Sequence, residues 1–302
     1  MNIHKTGYVA ILGLPNSGKS TLLNALLGQK LSIITSKPQT TRKRILGILS
    51  EEDHQIIFLD TPGILSPAYL LQEKMLDEVK SSLDDADVII LIIDVAEDPF
   101  GEFLFGQEFV KEIVLSSKKP KLLVINKVDL TKQEKVTELI KHFERQKFFE
   151  EIIPISAAQN FNILRVKEEI IRFLPEGPKL FPDDQVTDEN ERFFVSEIVR
   201  EKILELYRDE VPYSCEVIVV DFKEREEKKD FISAEIVVEK DSQKAIIIGK
   251  GGTAIKKLGQ IARKSVEEFL QREVFLELRV KVRKKWRSDE NLLKSFGYVK
   301  KE

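Results

Sequence analysis

Eight residues constrain this chain more than any others: Gly13-Leu14-Pro15-Asn16-Ser17-Gly18-Lys19-Ser20. They follow the apolar run 8–12 and open the amphipathic stretch Lys19–Leu27, so a strand, a tight loop and a helix must meet here. The glycines let the loop aim several backbone N–H groups, and the positive end of a helix, at one point. Such a cradle suits phosphate. Its other parts are Lys19 as a cation for the outer phosphates, the Ser20 hydroxyl as a Mg²⁺ ligand, and Thr21 next in the helix.

The residues after the loop keep alternating. Apolar runs at 8–12, 43–49, 55–60, 88–94, 121–126 and 152–155 are interleaved with helical patterns at 19–27, 71–84, 102–117, 131–146 and 164–173. This alternation predicts a doubly wound, mostly parallel α/β sheet with helices on both faces. The runs 43–49 and 55–60, joined by Ser50-Glu51-Glu52-Asp53, read as a hairpin that makes one edge antiparallel. Three prolines and the pair Asp183-Asp184 then break the periodicity. The expected division is a first domain over 1–175, a linker over 176–190 and an α+β domain over 191–302. The second domain reads as αββααβ: helix 191–207, strands 214–222 and 231–239, a helix running into Gly249, helix 253–270 and strand 274–283.

Four further segments carry chemistry. Asp60-Thr61-Pro62-Gly63 ends an apolar run, which places a carboxylate where it can hold Mg²⁺ through water and the Gly63 N–H where it reaches a γ-phosphate. A plain surface turn is the competing reading, since Asp, Pro and Gly are turn residues. Asn126-Lys127-Val128-Asp129, followed by Leu130, ends another run. An aspartate there accepts two hydrogen bonds from the guanine edge, a donor pair adenine lacks, and such a site discriminates by roughly 10⁴ or more. Ser156-Ala157-Ala158 supplies backbone N–H to the guanine O6. Gln39-Thr40-Thr41-Arg42 lies in a polar loop of the kind that GTP orders and hydrolysis releases, with Thr41 the first candidate metal ligand and Thr40 the second. Lys19, Thr41, Asp60 and Gly63 are the expected catalytic residues.

Composition narrows the setting. One cysteine, Cys215, allows no internal disulfide, and neither a signal-like N-terminus nor a membrane-length apolar run is present, so a soluble intracellular protein is expected. The net charge of −3 hides an asymmetry. Residues 244–287 carry thirteen Lys/Arg against four Glu, a balance of +9 that leaves −12 for the rest. Within that stretch lies Ile248-Gly249-Lys250-Gly251-Gly252, a G-x-x-G loop between two helices, suited to clamp about four nucleotides of single-stranded backbone. Arg283, Lys284 and Lys285 add phosphate contacts. For Trp286 two readings stand: stacking on a base, or packing against Phe296 and Tyr298.

In this order, these motifs resemble the Era-like family of bacterial GTPases, over nearly the whole chain. The resemblance implies a Ras-like P-loop GTPase domain followed by a type II KH domain, with GTP/GDP and Mg²⁺ as cofactors. It implies binding to the 3′ region of 16S ribosomal RNA and help in maturing the small ribosomal subunit. A cytoplasmic monomer is expected, with peripheral contact at the inner face of the membrane and no DNA partner. Ile64 stands where Ras-like enzymes place a water-orienting glutamine, a hydrophobic substitution the family shares, so slow intrinsic hydrolysis is expected. Asn16 matches the asparagine that relatives use to hold an activating K⁺. A P-loop metabolic kinase is the first rival, disfavoured by the guanine clamp at 126–129. The second is a GTP-dependent protein whose basic tail meets anionic lipid.

Overall fold

The structure, a computed structural model, describes residues 4–226 and 228–298. The chain divides into two units, the first running to Asp188 and the second from Glu189, with Tyr69–Leu71 grouped with the second.

In the first unit the unbroken apolar runs become strands covered on both faces: β3 (His54–Asp60) and β4 (Val88–Asp94) are buried at every residue. Together with β1 (Lys5–Gly13), β2 (Ile45–Ser50), β5 (Lys121–Asn126) and β6 (Glu151–Pro154) they form one sheet of order β2-β3-β1-β4-β5-β6. Every pairing is parallel except β2–β3, the expected hairpin. α1 (Lys19–Leu27) packs with α5 (Ile163–Phe173). Residues of α2 (Leu70–Asp85) and α4 (Gln133–Gln146), including Val79, Leu83, Leu139 and Phe143, share a core cluster with the sheet. Parallel strands all end at one edge of a sheet. That edge collects Gly13, Asp60, Asp94 and Asn126, and ligands bind at such an edge in doubly wound folds.

One helix differs from expectation. The stretch 102–117 is not continuous: α3 (Glu102–Gly106) stops where Gln107 turns extended, and a π-helical turn follows at Val110–Val114. Leu104, Val110 and Val114 are all fully buried. At 100° per residue, an unbroken helix would put Leu104 and Val110 on different faces, so the break at Gly106 re-phases them toward one core.

The segment expected as a linker is laced to the first unit. Pro175 accepts from the Thr6 N–H at 3.0 Å, Gly177 donates to the His4 carbonyl, and the Gln55 side chain accepts from both Leu180 and Phe181. The Ile48 N–H of edge strand β2 donates to the Val186 carbonyl, so the segment covers a sheet edge that would otherwise invite pairing with another chain.

The second unit has the expected order: α6 (Glu191–Leu206), β7 (Glu216–Lys223), β8 (Asp230–Val238), α7 (Asp241–Ile248), α8 (Thr253–Leu270) and β9 (Val274–Val282). β8 is central, antiparallel to β7 and parallel to β9. Period-two alternation sends Ile232, Ala234, Ile236 and Val238 inward: Val199, Ile203, Leu258 and Ala262 of α6 and α8 meet the last three, and Val195, Ile198, Val266 and Leu270 of the same helices meet Ile232. A short α9 (Glu290–Ser295), absent from the sequence reading, follows. Trp286 settles between its two readings here. It is fully buried, its Nε1–H donates to the Ser214 carbonyl at 2.9 Å, and its ring meets Phe296 edge-on at 5.6 Å. Stacking on a base is therefore corrected: a ring with no exposed face and a satisfied N–H is a core residue.

Candidate functional site

At the C-terminal edge of the first sheet, residues 14–21, 33–36 and 39–41 line a cavity of about 590 Å³ together with Gly63, Asp94 and Lys127. The loop between β1 and α1 needs its special residues. Gly18 lies at φ +99°, and a Cβ there would sit 2.1 Å from the Asn126 amide nitrogen. A Cβ on Gly63 would come within 2.5 Å of the Pro15 nitrogen, so the backbone after β3 is pressed against the loop. The Lys19 ammonium donates to the carbonyls of Gly13 at 3.2 Å and Leu14 at 2.8 Å. Burial pulls its pKa down to about 8, opposed by the charge of Asp60.

Three oxygens converge beside it. Ser20 Oγ donates to Asp60 Oδ2 at 2.7 Å and lies 2.9 Å from Thr41 Oγ1. Since the single Ser20 proton goes to the carboxylate, Thr41 is the donor in the second contact. Thr40 turns elsewhere, donating to the Lys37 carbonyl at 2.6 Å with its hydroxyl 2.7 Å from that of Thr35. Of the two threonines, it is the Thr41 hydroxyl that meets Ser20, which in turn holds Asp60. Burial pushes the Asp60 carboxyl up, against the pull of the Ser20 hydrogen bond, of Lys19 and of the nearby Ser32 hydroxyl; its Oδ1 is buried, and neither it nor Ser32 Oγ makes a hydrogen bond of normal geometry among the described residues. A hard divalent cation fits this donor set: two hydroxyls, and a carboxylate whose free oxygen needs a positive partner.

Sequence reasoning understated Asn126. Its side-chain amide donates to the Ser17 carbonyl at 2.9 Å, and its Oδ1 accepts from the Ala157 N–H at 3.0 Å. One side chain thus ties the phosphate loop to the Ser156-Ala157 segment, and both contacts are buried. Asp129 and Leu130 sit exposed on a 3₁₀ turn, Ser156 and Ala157 are buried, and Ala158 is exposed. Lys127 takes the left-handed conformation at φ +64°. Asn16, also left-handed, donates to the Ser36 carbonyl at 2.8 Å and so joins the phosphate loop to the polar loop. Thr61 donates to the Ile11 carbonyl and fixes the turn before Pro62. Ile64 departs from expectation. Its N–H bonds the Gly13 carbonyl, but its side chain is 1% exposed within the sheet–helix core, so the side chain does not line the cleft.

In the second unit, Gly249-Lys250-Gly251-Gly252 joins α7 to α8, with φ of +72°, +59° and +77° at the three glycines. No atom lies within 4 Å of where a Cβ on Gly251 or Gly252 would be, so the loop presents open backbone. Its shape is held from beneath. The Tyr207 hydroxyl donates to the Ile247 carbonyl at 2.9 Å, and the Thr253 hydroxyl to that of Lys250 at 3.0 Å. Ile248 is half-buried, while Lys250, Arg283, Lys284 and Lys285 are exposed. Nothing in the local sequence marks Tyr207, which acts from 40 residues away.

A phosphate loop with a guanine-clamp motif on a doubly wound sheet, followed by a G-x-x-G loop on an αββααβ unit, defines a P-loop GTPase joined to a KH domain. Family models agree: "50S ribosome-binding GTPase" matches residues 8–127, and "KH domain" matches residues 210–287. The GTPase Era of Clostridium botulinum strain Okra is 46% identical over 296 residues, covering 98% of this chain and 99% of its own. A chloroplastic ERA-like GTPase of Arabidopsis thaliana is 48% identical over 298 residues, 98% of this chain and 69% of that one. Among solved structures, an Aquifex aeolicus Era variant bound to GDP·AlF₄⁻ superposes with a TM-score of 0.92 at 42% identity, covering 97% of this chain and 99% of that one. Era in complex with MgGDPNP and nucleotides 1506–1542 of 16S ribosomal RNA gives 0.91 at 43%, covering 98% and 99%. The chain belongs to the Era family of GTPases.

Proposed function

We propose that this chain is a molecular switch that binds GTP with Mg²⁺, hydrolyses it slowly to GDP, and binds single-stranded RNA at the 3′ region of 16S ribosomal RNA to assist maturation of the small subunit. The observation that carries the reading is the hydrogen-bonded chain Asp60–Ser20–Thr41 beside Lys19, three oxygens and one cation gathered from three separate segments. Ser20 and Thr41 would hold Mg²⁺ directly and Asp60 through water. The metal would supply charge for the β- and γ-phosphate oxygens. The backbone N–H groups of Leu14, of residues 16–21 and of Gly63 bind the phosphates, with Pro15 shaping the loop, and Lys19 neutralises them. Asp129, Ser156, Ala157 and Ala158 read the base, with Lys127 and Leu130 beside it. Asn16, with the Ser36 carbonyl adjacent, is the group we assign to K⁺. The relative solved with 16S nucleotides supports the RNA reading, as do the open glycine loop and the exposed Lys250, Arg283, Lys284 and Lys285. We place the protein in the cytoplasm as a monomer, with the exposed Arg283, Lys284 and Lys285 available for weak contact with the membrane's inner face.

Two measurements on the full chain test this. In competition binding, GTP must displace a guanine probe where ATP does not, and Asp129→Asn must shift preference toward XTP. A 16S 3′-end oligonucleotide must bind the unmodified chain in a salt-dependent way and lose affinity in Lys250→Asp/Gly251→Asp while GTP affinity stays unchanged. Equal RNA binding by that variant would sink the KH assignment and favour the basic tail as a general polyanion surface.

A further inference from the structure

Beside the guanine-clamp motif lies a carboxylate that the reading above leaves without a task. Asp94 ends β4 and pairs in register with Asn126 at the end of β5. It is 5% exposed and lines the cleft. Its Oδ1 accepts from the Ala96 N–H at 2.9 Å, and its Oδ2 accepts from the Lys127 ammonium at 2.5 Å. A buried carboxylate so placed costs free energy unless it is paired, and Lys127 is its ionic partner among the described residues. The pairing also fixes Lys127. From its left-handed backbone the side chain is drawn back across the strand ends toward β4 and becomes part of the cleft wall. Left to itself, a lysine has enough rotamer freedom to spend most of its time in water, and ordering it on ligand binding costs conformational entropy.

We propose that Asp94 is a positioning residue for base recognition. It pre-orders Lys127 so that the four methylenes form a fixed apolar wall against which the purine ring lies, and Asp94 itself does not touch the nucleotide. The inference rests on the guanine-nucleotide reading of the cleft. It assigns specificity to a residue outside the five motifs, through its ion pair with Lys127.

The substitution Asp94→Asn is nearly isosteric and keeps an oxygen for the Ala96 N–H, while removing the charge that holds Lys127. Lys127→Met keeps an apolar chain of similar length and removes the ammonium. Affinities of fluorescently labelled GDP and ADP are measured for the unmodified chain, both single variants and the double variant, with thermal melting alongside. Asp94→Asn is expected to weaken GDP by about tenfold, the coupling of a contacting pair, and to lower the GDP/ADP ratio. In the Lys127→Met background the same change is expected to cost less than about twofold, because no ammonium remains to be positioned. Asp94→Glu, which restores the charge on a longer arm, should recover part of the loss. Equal losses in both backgrounds, or an unchanged GDP affinity in Asp94→Asn, would overturn the proposal, and a loss that follows the melting temperature alone would reduce Asp94 to a fold residue. If the unmodified chain binds ADP as tightly as GDP, the guanine reading itself fails, whatever the cycle shows.

Discussion

The Asn126 side-chain amide donates to the Ser17 carbonyl at 2.9 Å, a buried contact across 109 residues that fastens the guanine-clamp motif to the phosphate loop. The same side chain accepts from Ala157, so loss of Asn126 disturbs both ends of the nucleotide site at once.

Asn126→Ala leaves the Ser17 carbonyl and the Ala157 N–H buried without partners, at about 1–3 kcal/mol each. Weakening of GTP and GDP by roughly two orders of magnitude is expected. Base preference should survive, because Asp129 remains. Equilibrium binding of GDP, IDP and ADP checks this: a variant that lost selectivity but kept affinity would contradict the tie described here.

Thr41→Ala removes the hydroxyl that meets Ser20, whereas Thr40→Ala removes one engaged with Lys37 and Thr35. The first should raise the Mg²⁺ concentration needed for half-maximal hydrolysis by at least about tenfold, as loss of a metal ligand does, and the second should leave it within about twofold. Steady-state hydrolysis across a Mg²⁺ titration distinguishes them.

Lys19 gives the site a pH signature. Burial disfavours the charged form and pulls its pKa down to about 8, against 10.5 for an unburied lysine. Between those two values the unfolded chain binds more protons than the folded one, so this group's contribution to the stability of the nucleotide-free protein rises with pH through that window. Bound phosphate restores the charge. Above about pH 8, binding must therefore take up a proton, and affinity should fall as pH rises. Calorimetry in buffers of different ionisation enthalpy measures the uptake, which Lys19→Met should abolish.

Ile64 belongs to the core, so its replacement speaks to stability before chemistry. Ile64→Ala should destabilise by about 2–5 kcal/mol through the cavity it leaves. Intrinsic turnover is expected near the ~10⁻⁴ to 10⁻² s⁻¹ of unassisted switch GTPases and should change far less than in Lys19→Ala. Abolished hydrolysis in a stably folded Ile64→Ala protein would mean that this side chain reaches the reacting phosphate.

Much of this was legible in the chain itself. The phosphate loop is written in consecutive residues because a backbone cradle needs glycine at fixed positions, and the strand–helix period around it follows from burial on both faces of the sheet. Bounds for Lys19–Leu27, Val88–Asp94, Lys121–Asn126 and Thr253–Leu270 follow from local periodicity and turn residues alone. Other features needed the fold. Whether Thr40 or Thr41 meets Ser20 depends on how the polar loop is bracketed by Thr35 and Lys37, a contest between hydrogen bonds that no local pattern decides. The break at Gly106 answers a core that must receive Leu104 and Val110 together. Trp286 is buried because a carbonyl 72 residues earlier waits for its N–H. Asp94, Asn126 and Tyr207 act on partners that the sequence separates by 33, 109 and 40 residues. Local backbone demands and side-chain period are properties of neighbours in the chain, and the sequence states them directly. Which buried polar group satisfies which other is a property of neighbours in space, and only the tertiary structure decides it.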